Sequence, residues 1–231
     1  MAKAIPLIRS SLLSEFPALV KDLNGPLGEI LEAADLTLEQ IEQPTLLIPF
    51  DKQIRLLQIA AQRCQCEEFA LELARRQNMA VFGALSILVM QSGTVRQGLQ
   101  MFGRYLHYSV QAVHLNFREE GALAFFTVDS PFDVASDSNQ FWDHAVALLW
   151  GVVRMLCGPG WAPRSVFLRR PEPRDSDYYS RYFHAAVAFS SDDSGLVFRR
   201  DLLDEPISRY LDAEPKQLNQ YLKHSIEGDI L

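Results

Sequence analysis

The chain has 231 residues, with 22 Lys and Arg against 29 Asp and Glu, a formal charge of −7, 48% hydrophobic residues and three cysteines. A chain of this length buries roughly 70% of its extended surface on folding, which supplies a real core and excludes disorder over most of the sequence. The acidic balance excludes nucleic-acid binding through bulk charge, because duplex binding relies on Lys and Arg neutralising phosphates.

Cys64, Cys66 and Cys157 cannot all pair and follow no secreted-domain spacing, so a reducing, cytoplasmic setting is expected. The start of the chain holds too few apolar residues before Arg9 for a secretory signal. The apolar stretches Met79 to Met90 and Ala145 to Leu156 fall short of the ~18 residues that a span needs, so no membrane role is expected.

The first hundred residues read as successive helices. Leu12 to Leu23 carries Pro17 near its start, and Asn24-Gly25-Pro26 stops one helix and opens the next. Thr37-Leu-Glu-Gln40 has capping-box spacing, and Pro44 ends the short helix it starts. From Asp51, Ile54, Leu57, Ala61 and Cys64 form an apolar stripe, and Cys66, Phe69, Ala70 and Leu73 form another after a break. Met79 to Gln91 is apolar almost all round, as in a helix covered on every side. Thr94 starts a further helix whose buried face is Val95, Leu99, Phe102 and Leu106.

Near residue 110 the period changes. Val113, Leu115 and Phe117 alternate with polar residues, Glu119-Glu120-Gly121 reads as a turn, and Ala122 to Val128 returns as the second strand of a hairpin. A long helix is expected over 138–157, then a strand over 165–169, a helix over 175–183 and two extended pieces over 186–190 and 196–199. The expected fold class is α+β: a helical half over 1–109, then a β-β-α-β-α-β half over 110–210 with a small, mostly antiparallel sheet packed on helices. Residues 211–231 are read as the start of a linker, with a helix over Lys216 to His224.

Few motifs carry chemistry. Cys64 and Cys66 lack a second ligand pair for zinc, so packing roles are expected and no metal site is assigned. No nucleophile elbow is present, and Gly93, Gly98 and Gly103, five apart in a helical pattern, read as close packing rather than a phosphate loop. His107 and His114 flank a helix-to-strand junction, where either is a candidate ligand or base or an ordinary hydrogen-bonded residue. Around the hairpin and the following helix, Tyr105, Tyr108, Phe125, Phe126, Phe141, Trp142 and Trp150 lie near Arg104, His107, Gln111 and His144. Such a set lines a pocket with a few placed polar groups, or is simply core.

Several stretches resemble the N-terminal effector-sensing region of AraC-type transcription regulators, in the subgroup whose sensor is called an arabinose-binding domain. They are Phe82-Gly-Ala-Leu85, Ser92-Gly-Thr-Val-Arg-Gln-Gly-Leu99 leading to Arg104-Tyr105, and the hairpin from Val113 to Val128. Tyr178-Tyr-Ser-Arg-Tyr-Phe183, Val187-Ala-Phe189, Leu196-Val-Phe198 and Leu202-Leu-Asp-Glu-Pro-Ile207 complete the order, so the resemblance runs roughly over residues 10 to 210. It implies an effector-binding and dimerisation domain over 1–210 in a bacterial regulator, with DNA held only by helix-turn-helix units C-terminal to this stretch. Arabinose itself is not the expected effector, because the sugar-binding jelly roll behind the name cannot accommodate a hundred helical residues. The resemblance implies instead an amino acid, a fatty acid or a similar metabolite, no cofactor and a homodimer.

The effector is expected between the 138–157 helix and the hairpin. Residue type and sequence neighbourhood nominate Tyr105, Tyr108, Gln111, Phe126, Trp142 and His144, with Arg104 and Arg169 as partners for an anionic group. The alternatives are a dimerisation module without a ligand, an enzyme using His107 or His144 as base, and a haem or gas sensor through His107.

Overall fold

The structure, a computed structural model, describes residues 5–132 and 138–207. Short helices occupy the first part: α1 (Phe16–Asp22), α2 (Leu27–Ala33), α3 (Leu38–Glu42), α4 (Phe50–Arg63), α5 (Phe69–Arg76), α6 (Ala84–Met90) and α7 (Val95–Tyr105). Pro17 sits in the first turn of α1 and Pro26 at the N-cap of α2, where a missing N–H costs no helical bond. Thr37 and Gln40 form the reciprocal capping box of α3, with the Thr37 N–H donating to Gln40 Oε1 at 2.9 Å and the Gln40 N–H to Thr37 Oγ1 at 3.3 Å. Thr94 caps α7 by accepting from the Gln97 N–H at 3.3 Å.

Two strands missed in the sequence reading, β1 (Leu7–Arg9) and β2 (Leu47–Pro49), pair antiparallel among these helices. At three residues each they are too short to show a period of two. β1 also bonds the segment after α7, where the Arg9 N–H donates to Ser109 O at 2.8 Å and the Gln111 N–H to Leu7 O at 2.9 Å. The expected single helix over 79–91 is divided instead: a 3₁₀ turn over Met79–Phe82 ends at Gly83, φ +57°, and α6 follows. It is not covered on every side either, because Leu88 is 45% exposed.

The second part contains β3 (His114–Glu120), β4 (Leu123–Asp129), α8 (Asn139–Cys157), β5 (Ser165–Phe167), α9 (Ser176–Phe183), β6 (Ala186–Ala188) and β7 (Ser194–Arg199). This is the expected α+β order, helices and then β-β-α-β-α-β-β, with both extended pieces after α9 formed as strands. The five strands lie in the order β3-β4-β7-β5-β6, antiparallel except for the β5/β6 pair, which α9 connects. The hairpin turn falls at Gly121-Ala122, later than expected, because β3 runs on through Glu120 opposite Leu123. Its charged end is held from outside, since Glu119 pairs with Arg96 and accepts from Arg200 Nε at 2.8 Å. Gly195 in β7 is required by space: a Cβ there would lie 2.4 Å from Phe126 O and 2.8 Å from Thr127 Cα.

α8 organises the molecule. It is about 28 Å long at 1.5 Å per residue, and it buries residues on most of its circumference, from Gln140 to Cys157. It packs against α4, α5 and α7 as well as against β4 and β7, so helices and sheet share a continuous core. The Leu202–Ile207 stretch closes back on α7, with the Val95 N–H donating to Glu205 O at 3.0 Å. There Gly98 meets Leu156 and Ile207, whose methyl groups would lie 3.1 to 3.2 Å from an added Cβ. Gly103 has no such neighbour, and the atom nearest a Cβ at Gly93 is Gln97 Oε1, 2.9 Å away, which accepts from the Gly93 N–H, so packing between elements explains only the middle glycine of the three. The residues read as a linker, 211–231, with the helix over Lys216 to His224, lie outside the described residues.

Candidate functional site

A cavity of about 470 Å³, its mouth included, opens between α8 and the hairpin. α8 contributes Phe141, His144, Ala145, Leu148 and Leu149; the hairpin and its approach contribute Val110, Val113, Leu115 and Val128. Leu12, Phe82, Phe102 and Leu106 close the remaining apolar wall, and Gln53 of α4 adds a polar side chain. α8 presents its contributors because positions 141, 144, 145, 148 and 149 fall on one face at spacings of three and four.

Two polar groups sit in this apolar wall. Gln53 is 3% exposed, and no described residue hydrogen-bonds its amide. His144 is 2% exposed and its Nε2 lies 2.8 Å from Gln77 Oε1. Gln77 Nε2 donates to Leu12 O and Ser14 O, each at 2.9 Å, which fixes the amide so that its oxygen faces the imidazole. On that network His144 Nε2 carries the proton and Nδ1 carries a lone pair. Burial pushes the His144 pKa down to about 4, so the ring is neutral at neutral pH.

Of the eight nominated residues, His144 alone lines this cavity. Phe126 is buried in β4 against Phe117, with ring centroids 6.1 Å apart. Trp142 is buried beneath the Arg169 guanidinium, 4.9 Å away. Arg169 is already engaged, donating to Asp129 Oδ1 at 2.9 Å, Asp193 Oδ1 at 3.2 Å and Asp192 O at 2.6 Å. Arg104 and Tyr108 are exposed, Tyr105 stacks on Tyr108, and Gln111 Oε1 accepts from the Leu7 N–H at 3.2 Å. His107 is exposed, with Nδ1 3.0 Å from Arg104 O. Among the described residues, no cationic side chain lines the cavity.

A second buried polar cluster, absent from the sequence reading, lies one residue along α8. Asp143 is fully buried and Arg170 is 4% exposed; Arg170 Nη1 donates to Asp143 Oδ2 at 2.6 Å and Nη2 to Glu67 Oε1 at 2.9 Å. Tyr179 OH accepts from Arg170 and donates to Asp143 Oδ2 at 2.7 Å. Burial raises the Asp143 pKa to about 6 while Arg170 and Tyr179 oppose the shift. Consecutive α8 residues thus face three settings: Trp142 under Arg169, Asp143 against Arg170, and His144 at the cavity.

The cysteines are unpaired, and burial pushes the thiols of Cys66 up to about 11 and Cys157 up to about 12, which makes them poor nucleophiles. Among the described residues no cluster of His, Cys, Asp and Glu is arranged to hold a metal, and no helix is long and apolar enough to cross a membrane.

Among the described residues the cavity wall is apolar apart from Gln53 and His144, and it lies in an α+β scaffold of helices packed on a five-stranded sheet. Over residues 25–207 the chain matches the family described as the arabinose-binding domain of AraC transcription regulator, N-terminal, and it belongs to that family. It is 23% identical over 222 residues to the HTH-type transcriptional regulator VirS of two Mycobacterium tuberculosis strains, a match covering 94% of this chain and 64% of VirS. The chain thus spans less than two thirds of the length of that relative. The crystal structure of transcriptional regulator CdpR from Pseudomonas aeruginosa shares the fold, with a TM-score of 0.57 at 15% identity over 78% of this chain and 56% of CdpR.

Proposed function

We propose that this chain is the non-catalytic sensing domain of an AraC-type transcription regulator and that its effector occupies the cavity between α8 and the hairpin. The carrying observation is the Gln53 amide, 3% exposed in an otherwise apolar wall and bonded by no described residue. An amide that no described residue bonds offers a donor and an acceptor for a ligand to pair with. In the whole regulator, an effector that favours one arrangement of α8 against the sheet biases attached helix-turn-helix units by its differential affinity. The proposed location is cytoplasmic and the proposed assembly is a homodimer, for which sedimentation is the direct measurement.

The test is a thermal-shift screen of amino acids, fatty acids and aromatic acids against this chain and against Ala145→Leu, which fills the cavity. An effector at a hundred times its Kd stabilises the native state by about 2.7 kcal/mol, and Ala145→Leu should abolish that shift. If no compound raises the melting temperature of either protein, the dimerisation-only reading replaces this one. An enzyme reading needs turnover that His144→Ala removes; with Nε2 engaged by Gln77 and no hydroxyl or thiol among the described lining residues, none is expected.

A further inference from the structure

The lining of the cavity limits the head group it accepts. Among the described lining residues there is no Lys, Arg, Asp or Glu, and the two arginines nominated for an anion lie elsewhere. A carboxylate entering the cavity would leave water without meeting a counter-charge, a desolvation cost that hydrogen bonds to neutral groups do not offset. It would also carry no proton for His144 Nδ1. That nitrogen presents a lone pair, because Nε2 is the donor to Gln77 Oε1, and no described residue meets it. Gln53 offers both an N–H donor and a carbonyl acceptor, neither bonded by a described residue. Among the described lining residues the polar groups left for a ligand are therefore an acceptor on α8 and a donor–acceptor pair on α4, and the others are apolar.

We infer that the cavity selects a small uncharged amphipathic molecule, an alcohol or primary amide on an alkyl or ring body, whose head donates to His144 Nδ1 and exchanges hydrogen bonds with the Gln53 amide. The inference rests on the cavity being the effector site and goes further by excluding the anionic class. Neutrality of the imidazole supports the same choice: desolvation is the only cause of its lowered pKa, and no charged neighbour contributes. A charged ammonium head is disfavoured as well, since none of the described lining residues carries a carboxylate.

The test is a head-group series on one tail, n-octanol, octanamide, octanoate and octylammonium, titrated calorimetrically into the chain at pH 7.5. The alcohol and the amide should bind at least tenfold more tightly than either ion. Gln53→Met keeps the side-chain volume and removes the amide; it should weaken octanamide and n-octanol at least fivefold without lowering the melting temperature of the free protein. Octanoate binding as tightly as n-octanol would overturn the uncharged-ligand inference and leave the sensing reading standing. Failure of all four probes to bind would overturn the uncharged-ligand inference, and the wider screen then decides the sensing reading. Should Gln53→Met prove unstable, the head-group ranking on the unaltered chain still decides the matter.

Discussion

Replacing Arg170 by Met leaves Asp143 as a fully buried carboxylate without its cation, and the cost follows from the geometry. Arg170 is 4% exposed, Asp143 is 0% exposed, and their nearest atoms are 2.6 Å apart. Two unit charges about 4 Å apart attract by about 4 kcal/mol at the effective dielectric suited to such sites, and removing one member of a buried pair costs about 3–5 kcal/mol. For a chain of this size each kcal/mol shifts Tm by about 2–4 °C, so Arg170→Met should melt about 6–20 °C lower. Denaturant unfolding at pH 7.5 and at pH 4 supplies the decisive comparison. The folded pKa of Asp143 is already raised from 3.8 to about 6, and losing Arg170 raises it further. A raised carboxylate pKa penalises the fold above that pKa, and the penalty is relieved as pH falls toward 3.8. The deficit of Arg170→Met should therefore shrink at pH 4, and Asp143→Asn/Arg170→Met should recover most of the loss at pH 7.5. A single-variant deficit below about 1 kcal/mol, or one equal at both pH values, would refute the buried-pair account.

His144 gives a slope of the opposite sign. Its folded pKa is depressed from 6.5 to about 4, so the unfolded chain binds more protons between those values and stability falls as pH drops through that window. The loss attributable to this residue is about 3 kcal/mol at 1.36 kcal/mol per unit. Because Asp143 opposes it, the difference in unfolding free energy between the parent and His144→Gln across pH 4 to 7 isolates the contribution; a parallel pair of curves would contradict it. Glycine substitutions separate close packing from helix propensity. Gly195→Ala drives a Cβ into Phe126 O and should cost at least about 2 kcal/mol through backbone displacement. Gly151→Ala, in α8 with no neighbour within 4 Å of the new Cβ, should stabilise by about 0.5–1 kcal/mol, and chemical denaturation of both variants checks the contrast.

What local chemistry governs was legible before any coordinates. The capping box at Thr37 and Gln40, the cap at Thr94, the stop at Asn24-Gly25-Pro26 and the α8 helix between 138 and 158 depend on residues within a turn or two of one another. Helix α4 was placed correctly, but its buried face includes Phe50, Gln53 and Leu56, whereas Ile54 lies only partly buried. A glutamine at position 53, three after Phe50 and four before Leu57, was the available signal for a buried polar group, and an apolar-stripe reading passes over it.

The sequence by itself determined the α+β order, the acidic surface charge, the helix boundaries set by caps and prolines, and the motifs that lead to the family. These rest on short-range hydrogen bonds, backbone sterics and periodicity, all local in the chain. The tertiary structure decided the site. His144 meets Gln77 across 67 positions and Arg170 meets Glu67 across 103, so neither partner is marked by spacing. It also decided which aromatic residues are core and which side chains line the cavity, because packing of α8 against α4, α7 and the hairpin selects the face each helix turns inward.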